Sequence, residues 1–200
     1  MAGNEIEVAP LAALATRLRA LIDGRNLEYP EAFSEWIDHA LGVAPNGMAL
    51  VLEPGSVIEG DLMLDWNDDF RRRGISAVVN LGDLMVRGAI LNADLDGGPL
   101  LFVGGDLAAA RMDKGGANVV VLGALRTTGP VLCEYNHGVL RVAGDLDCEA
   151  LIVLDHDALV LGQLRAPRID WEDGELREQL VPEVFDDPDS DLPNGELLRA

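Results

Sequence analysis

The sequence predicts a mainly β fold: a single-stranded parallel β-helix, or solenoid, of about six coils, with an N-terminal helical cap and an acidic C-terminal tail. Three observations carry this. A Gly-Asp-Leu motif recurs as Gly60-Asp61-Leu62, Gly82-Asp83-Leu84, Gly105-Asp106-Leu107 and Gly144-Asp145-Leu146. Gly123-Ala124-Leu125 and Gly162-Gln163-Leu164 are degenerate copies, and the glycines lie 18 to 23 residues apart. The apolar residues are mostly Leu, Val and Ala, with only three Trp, two Tyr and four Phe, which suits a narrow core of stacked aliphatic side chains. Glycine, at 22 residues, is more frequent than a helical protein carries without cost.

Within the repeat, Leu stands two residues after each glycine, and Ile58, Asn80, Val103, Val121, Val142 and Val160 stand two before it. Read at period two, this is a strand whose inward positions are Val, Gly, Leu and a smaller residue. One such coil cannot bury its own apolar face, but neighbours above and below can. Ala89-Ile90-Leu91, Val131-Leu132 and Leu151-Ile152-Val153-Leu154 supply another wall. Polar corners lie between, at Asn92 to Gly98, Asp113 to Gly116 and Glu134 to Gly138. An antiparallel sandwich explains the alternation but not the Leu column.

The coils are expected over residues 49–166. Before them, residues 1–48 carry two amphipathic helices. Leu11, Leu14, Leu18, Leu21 and Ile22 share one stripe between Pro10 and Gly24; Phe33, Trp36, Ile37 and Leu41 share another between Pro30 and Gly42. The open first coil is the surface such stripes are expected to cover. After the coils, residues 167–200 mix prolines with acidic residues and read as an extended tail, with Ile169, Trp171, Leu176 and Leu180 able to dock a short helix.

The net charge of −20 argues against nucleic acid and anionic membrane as ligands, since phosphate binding needs clustered Lys and Arg. It favours solubility and fast association with a basic partner. The N-terminus shows no basic region followed by an apolar stretch, and no apolar run approaches the roughly 18 residues that span a bilayer. The expected compartment is cytoplasmic. Cys133 and Cys148 match neither a disulfide framework nor a zinc spacing and read as core residues. Arg71-Arg72-Arg73, following Asp68 and Asp69, reads as a solvated loop with local pairing.

Two late corners hold the unusual side chains. Cys133-Glu134-Tyr135-Asn136-His137-Gly138 and Asp155-His156-Asp157 stand in the same register, with His137 and Asp155 each seven residues before a repeat glycine. Stacked on adjacent coils about 5 Å apart, His137, Asp155, His156 and Asp157 would form one polar cluster. Three readings stand. The cluster is a metal or acid–base site, a hydrogen-bonded turn ladder, or a recognition patch of Tyr135, Asn136, His137, Asp155, His156 and Asp157 with Tyr135 as anchor. His39, alone on a helix, reads as a surface residue. Asn92, Asp94, Asp96, Gly97 and Gly98 suggest a calcium loop but lack its closing Glu. No phosphate loop or nucleophile motif is present, so no cofactor and no metal is expected.

Over Ala49 to Ala166 the Gly-Asp-Leu coils resemble the bacterial bactofilins, cytoskeletal β-helix proteins that polymerise end to end. The Tyr-Asn-His-Gly corner followed by Leu-Asp-His-Asp is similar to a group of bacterial proteins of the same coil type found at toxin–immunity loci. The resemblance implies a polymer in the first case and an immunity protein in the second. The helical cap and the acidic tail depart from the bactofilin pattern and argue against polymerisation. The expectation is therefore a non-enzymatic protein-binding solenoid, an immunity-type protein that neutralises a basic toxin. A self-assembling scaffold is the alternative. A β-helix acyltransferase is a third, weakened by the missing hexapeptide periodicity.

Overall fold

The computed structural model describes residues 7–135 and 137–170. Three parallel sheets, each contributing six parallel strands, wind into a three-faced solenoid in which the four middle coils have a neighbour on both sides. Face one runs through Met48–Leu52, Ile75–Asn80, Leu100–Val103, Asn118–Val121, Val139–Val142 and Asp157–Val160. Face two begins at Ser56–Ile58 and ends at Leu164–Arg165. Face three begins at Leu62–Met63 and ends at Arg168–Asp170, so the strands continue past residue 166 into the segment read as tail. Ile169 lies in that last strand, paired with Ile152, while Trp171, Leu176 and Leu180 lie outside the described residues.

The core is the stack of aliphatic columns that the repeat foretells. On face two Leu84, Leu107, Leu125, Leu146 and Leu164 stand in register, and on face one Val103, Val121, Val142 and Val160 do so. Cys133 and Cys148 belong to the same cluster. Burial pushes both thiols up to about 11, which leaves them unreactive core residues.

The glycine of the motif is not, however, an inward position within one strand. Face one ends at the Val, and the Gly-Asp pair turns the corner into face two. Gly123 N–H donates to Gly105 O at 2.9 Å, and Gly144 N–H to Gly123 O at 2.9 Å. A Cβ on Gly123 would stand 2.5 Å from the Gly105 carbonyl carbon, so only glycine lets the corners stack at this spacing. The aspartate completes the corner. Asp106 Oδ1 accepts Ala124 N–H at 2.8 Å, Asp83 Oδ1 accepts Asp106 N–H at 2.8 Å, and Asp145 Oδ1 accepts Gln163 N–H at 2.9 Å. The second carboxylate oxygen meets an arginine one coil up, Arg126 for Asp106 and Arg165 for Asp145. Arg126, then the Ala124 N–H, holds the Asp106 carboxyl below its ordinary range.

The first copy of the motif is displaced. Gly60-Asp61 turns the next corner, between faces two and three, where Gly88 N–H donates to Gly60 O at 3.2 Å and Ala89 N–H to Asp61 Oδ1 at 2.8 Å. Leu62 therefore pairs with Ile90, and Ser56 occupies the first rung under Leu84. The repeat marks a type of turn rather than a fixed place in the coil.

The two expected helices form as α1 (Leu11–Asp23) and α2 (Glu31–Val43), but they do not cover the open end. They lie along the outer side of face one. Leu11, Leu18, Ile22, Phe33 and Ile37 pack there against Ala49, Ala77, Val79, Leu100, Phe102, Val120 and Leu122. Strands such as Leu100–Val103 and Asn118–Val121 are buried on both sides, which is why they read as unbroken apolar runs. The first rung of face one is covered instead by β1 (Glu7–Pro10), antiparallel to β2 (Met48–Leu52). Arg141, 4% exposed, fastens α2: its Nε donates to Ala32 O at 3.1 Å, and its guanidinium lies 5.7 Å from the Trp36 ring.

Length variation collects at the third corner, between faces three and one. Residues 64–74 there contain a short helix, α3 (Asp68–Arg73), capped by Asn67 Oδ1 on Phe70 N–H at 2.9 Å and closed by Gly74 at φ 64°. The arginine run expected in a loop belongs to this helix. Arg72 and Arg73 pair with Asp69 at 2.6 and 3.2 Å on the surface.

The corner geometry makes a paired prediction. Gly123→Ala, which forces a methyl into the Gly105 backbone, is expected to lower unfolding free energy by about 2 kcal/mol or more in urea titrations. Gly42→Ala, in α2 with open space around it, is expected to raise it by up to about 1 kcal/mol.

Candidate functional site

The third corner is built on the inward column that closes face three: Leu64, Asn92, Lys114, Cys133 and Val153, each in register with the next. Two members are polar and fully enclosed. Asn92 divides its side chain between the neighbouring coils and its own corner loop. Its Nδ2 donates to Asp65 Oδ1 at 2.9 Å and to Gly97 O at 3.1 Å, and its Oδ1 accepts Ala117 N–H at 2.7 Å. Asp94 N–H joins Asp65 Oδ1 at 2.9 Å. The segment with the look of a calcium loop is thus tied by its own hydrogen bonds.

Lys114, 0% exposed, runs up the inside of the corner. Its Nζ donates to Gly115 O at 2.9 Å and to His156 Nε2 at 2.8 Å. With Nε2 accepting, the His156 proton resides on Nδ1, which donates to Tyr135 O. A Cβ on Gly138 would meet Lys114 Nζ at 2.5 Å, so the glycine of Tyr-Asn-His-Gly is the hole through which the amine passes. Burial pushes the Lys114 ammonium down to about 7. Burial, and then the Lys114 charge, push the His156 imidazole down to about 3.

The expected cluster of His137, Asp155, His156 and Asp157 therefore separates, although the register that stacks their corners holds. His156 turns inward to Lys114. Asp157 turns to the flank, where its Oδ1 accepts Arg141 Nη1 at 2.9 Å and its Oδ2 accepts Nη2. His137 stays exposed, its Nδ1 3.6 Å from Asp96 Oδ1 and its ring edge-on to Tyr135 at 4.8 Å. Asp155 is exposed in left-handed backbone at φ 48°. Asn136 lies outside the described residues. The separation follows from alternation: successive corner residues point in, out and along the flank, so register alone does not bring side chains together.

Tyr135 is the outlier. It holds φ 74°, a region costly for a bulky side chain, and is 37% exposed. Two bonds keep it there: its N–H donates to Leu154 O at 2.9 Å and its carbonyl accepts His156. Sequence reasoning missed Lys114 and Arg141. The available signal was a charged residue in a mostly apolar column, the inward column of face three for Lys114 and the helix-covered outer column of face one for Arg141.

Beside this edge, a cleft of about 140 Å³ opens between the C-terminal end of α2 and the third corner. His39, Val43, Trp66, Asp96 and His137 form its walls, and Ser76 and Asn118 line it from face one. Among the described residues no group of His, Cys, Asp and Glu is arranged to hold a metal ion, and no helix is long and apolar enough to cross a membrane. No family model, curated protein or solved structure matches this chain.

The buried amine sets a pH dependence. Both groups bind fewer protons in the folded chain than in the unfolded one, so stability rises with pH. His156 contributes from about pH 3 to 6.5 and Lys114 from about pH 7 to 10.5. Lys114→Met is expected to remove the upper rise. Its stability relative to wild type should be greatest near pH 6 and shrink steadily toward pH 10, read from urea midpoints.

Proposed function

We propose that this chain is a non-enzymatic binding protein that presents its third-corner edge to a protein partner of net positive charge. In its most concrete form it is an immunity-type protein that neutralises a basic bacterial toxin. The observation that carries the reading is Tyr135: a large, half-exposed aromatic side chain held in costly backbone by two hydrogen bonds to the next coil. Strain of this kind persists where surrounding structure enforces it, and an aromatic anchor fixed in advance loses little entropy on binding. His137 packs against its ring, and Asp96, Asp155 and the net charge of −20 supply the field that draws in a cationic surface. Of the expected patch, Tyr135, His137 and Asp155 remain among the described residues, because His156 and Asp157 are spent on structure, and Asp96 joins them beside His137.

A self-assembling scaffold is the second reading. The flank position of α1 and α2 supports it, since the first strands of faces two and three have no further strand below them among the described residues. The antiparallel β1 opposes it, because a parallel strand of a second copy has no place on face one.

Co-expression with the product of the neighbouring gene, which this reading expects to be a basic toxin, provides the test. Wild type is expected to restore growth and to bind with an association rate that falls as salt rises, and Tyr135→Ala to weaken binding by about 2 kcal/mol. Absence of both binding and protection overturns the immunity reading. Filaments in electron micrographs of the purified chain would replace it with the scaffold.

A further inference from the structure

We infer that the groove beside Asp83, on the outer side of face two, is a docking site for an arginine side chain of a partner protein. The reason lies in the repeat. Outward side chains on this face stand in one registered column: Val57, Met85, Ala108, Arg126, Asp147 and Arg165. Two corner aspartates reach the member of that column one coil up, Asp106 meeting Arg126 at 2.7 Å and Asp145 meeting Arg165 at 2.8 Å. Where the corner residue is Ala124, the place above holds Asp147 rather than a base. Asp83 breaks the rule, because the place above it is Ala108. Its Oδ1 makes the usual corner bond to Asp106 N–H, and among the described residues no cation meets the carboxylate.

In place of that arginine stands a groove of about 230 Å³, with Val57, Met85 and Ala108 as its apolar surface and Asp83 and Asp106 as its carboxylates. No Lys or Arg is among the described residues that line it. Val57 and Met85 are 38% and 44% exposed, so the apolar surface is open to a partner. An arginine matches both surfaces. Its methylene stem covers apolar side chains, and its planar fork donates to a carboxylate through two N–H groups. Met85, unbranched, adapts to the stem. A lysine brings the stem but not the fork, and the two carboxylates disfavour an anion. An exposed ion pair is weak by itself, and burial of the stem supplies the remainder.

This groove shares no residue with the patch around Tyr135, so the two sites are tested separately. The probe is the capped tripeptide Leu-Arg-Leu, titrated into the full chain at pH 7 and followed by amide NMR shifts. Its twins carry lysine or citrulline, the neutral isostere, in place of the arginine. The arginine peptide is expected to shift the amides of Val57, Asp83, Met85 and Asp106. The citrulline twin is expected to bind about tenfold more weakly, with lysine between the two. Asp83→Asn keeps an oxygen for the Asp106 N–H but removes the charge. Ala108→Arg supplies the missing base from within the chain, at a place where the next coil already carries one. Each is expected to lower affinity about tenfold while the thermal transition stays cooperative, and Tyr135→Ala to leave it unchanged. If one groove variant does not fold, the other decides. Four results overturn the inference. Millimolar peptide leaves those amides of the wild type unmoved; or either twin binds as well as the arginine peptide; or affinity survives in the folded groove variants; or the same amides shift when the chain alone is concentrated, which assigns the groove to a second copy.

Discussion

Stacked glycine backbones at the first corner set the spacing on which the rest of this structure depends. Each coil contacts the next through peptide groups brought closer than any Cβ permits, and the N–H to C=O bonds between Gly82, Gly105, Gly123, Gly144 and Gly162 run along that column. Because the corner fixes rise and register together, the Leu and Val columns fall into alignment on either side of it without further specification. The aspartate adds direction, since a carboxylate that accepts the N–H of the coil above ties each corner to one neighbour in particular.

From this spacing follows the division of labour among the three faces. Face one is apolar on both sides and takes the helices, so its outer surface is closed to solvent over much of its length. Face two keeps its outward side chains in water and carries the Arg partners of the corner aspartates. The third corner absorbs the largest changes in coil length, and it carries the enclosed Asn92 and Lys114, the left-handed Tyr135 and Asp155, and the cleft. Buried polarity there is costly unless each group is satisfied, and across coils Asn92 meets Asp65 and Ala117 while Lys114 meets His156.

Much of this was legible in the residues, and the failures have identifiable physics. The period, the aliphatic columns and the two helices were readable because each rests on a local regularity: stacking, alternation, or a helical stripe. The first Gly-Asp-Leu deceived because Gly60 and Gly82 serve different corners, and α3 enlarges the coil between Gly60 and its true neighbour Gly88. The helices were assigned to the coil end because a stripe reveals that it needs a partner but not which one. Leu100-Leu101-Phe102-Val103 held that answer, as a run apolar on both faces. At the site, Tyr135 and His137 were found through composition, whereas Lys114 is an ordinary residue type whose meaning comes only from pointing inward.

Concentration of the largest length changes at one corner has a consequence for how such a chain diversifies. A loop of flexible residues costs only about 0.6 kcal/mol more each time its length doubles. The segments at 64–74, 93–99 and 115–117 already differ in size over the same core. New sequence inserted on this edge would leave the rise, the columns and the helical flank untouched, and it would arrive beside a preformed aromatic and an acidic surface. The edge is therefore the part of the molecule most open to grafting, by evolution or by an engineer, while the glycine corner opposite it tolerates almost nothing.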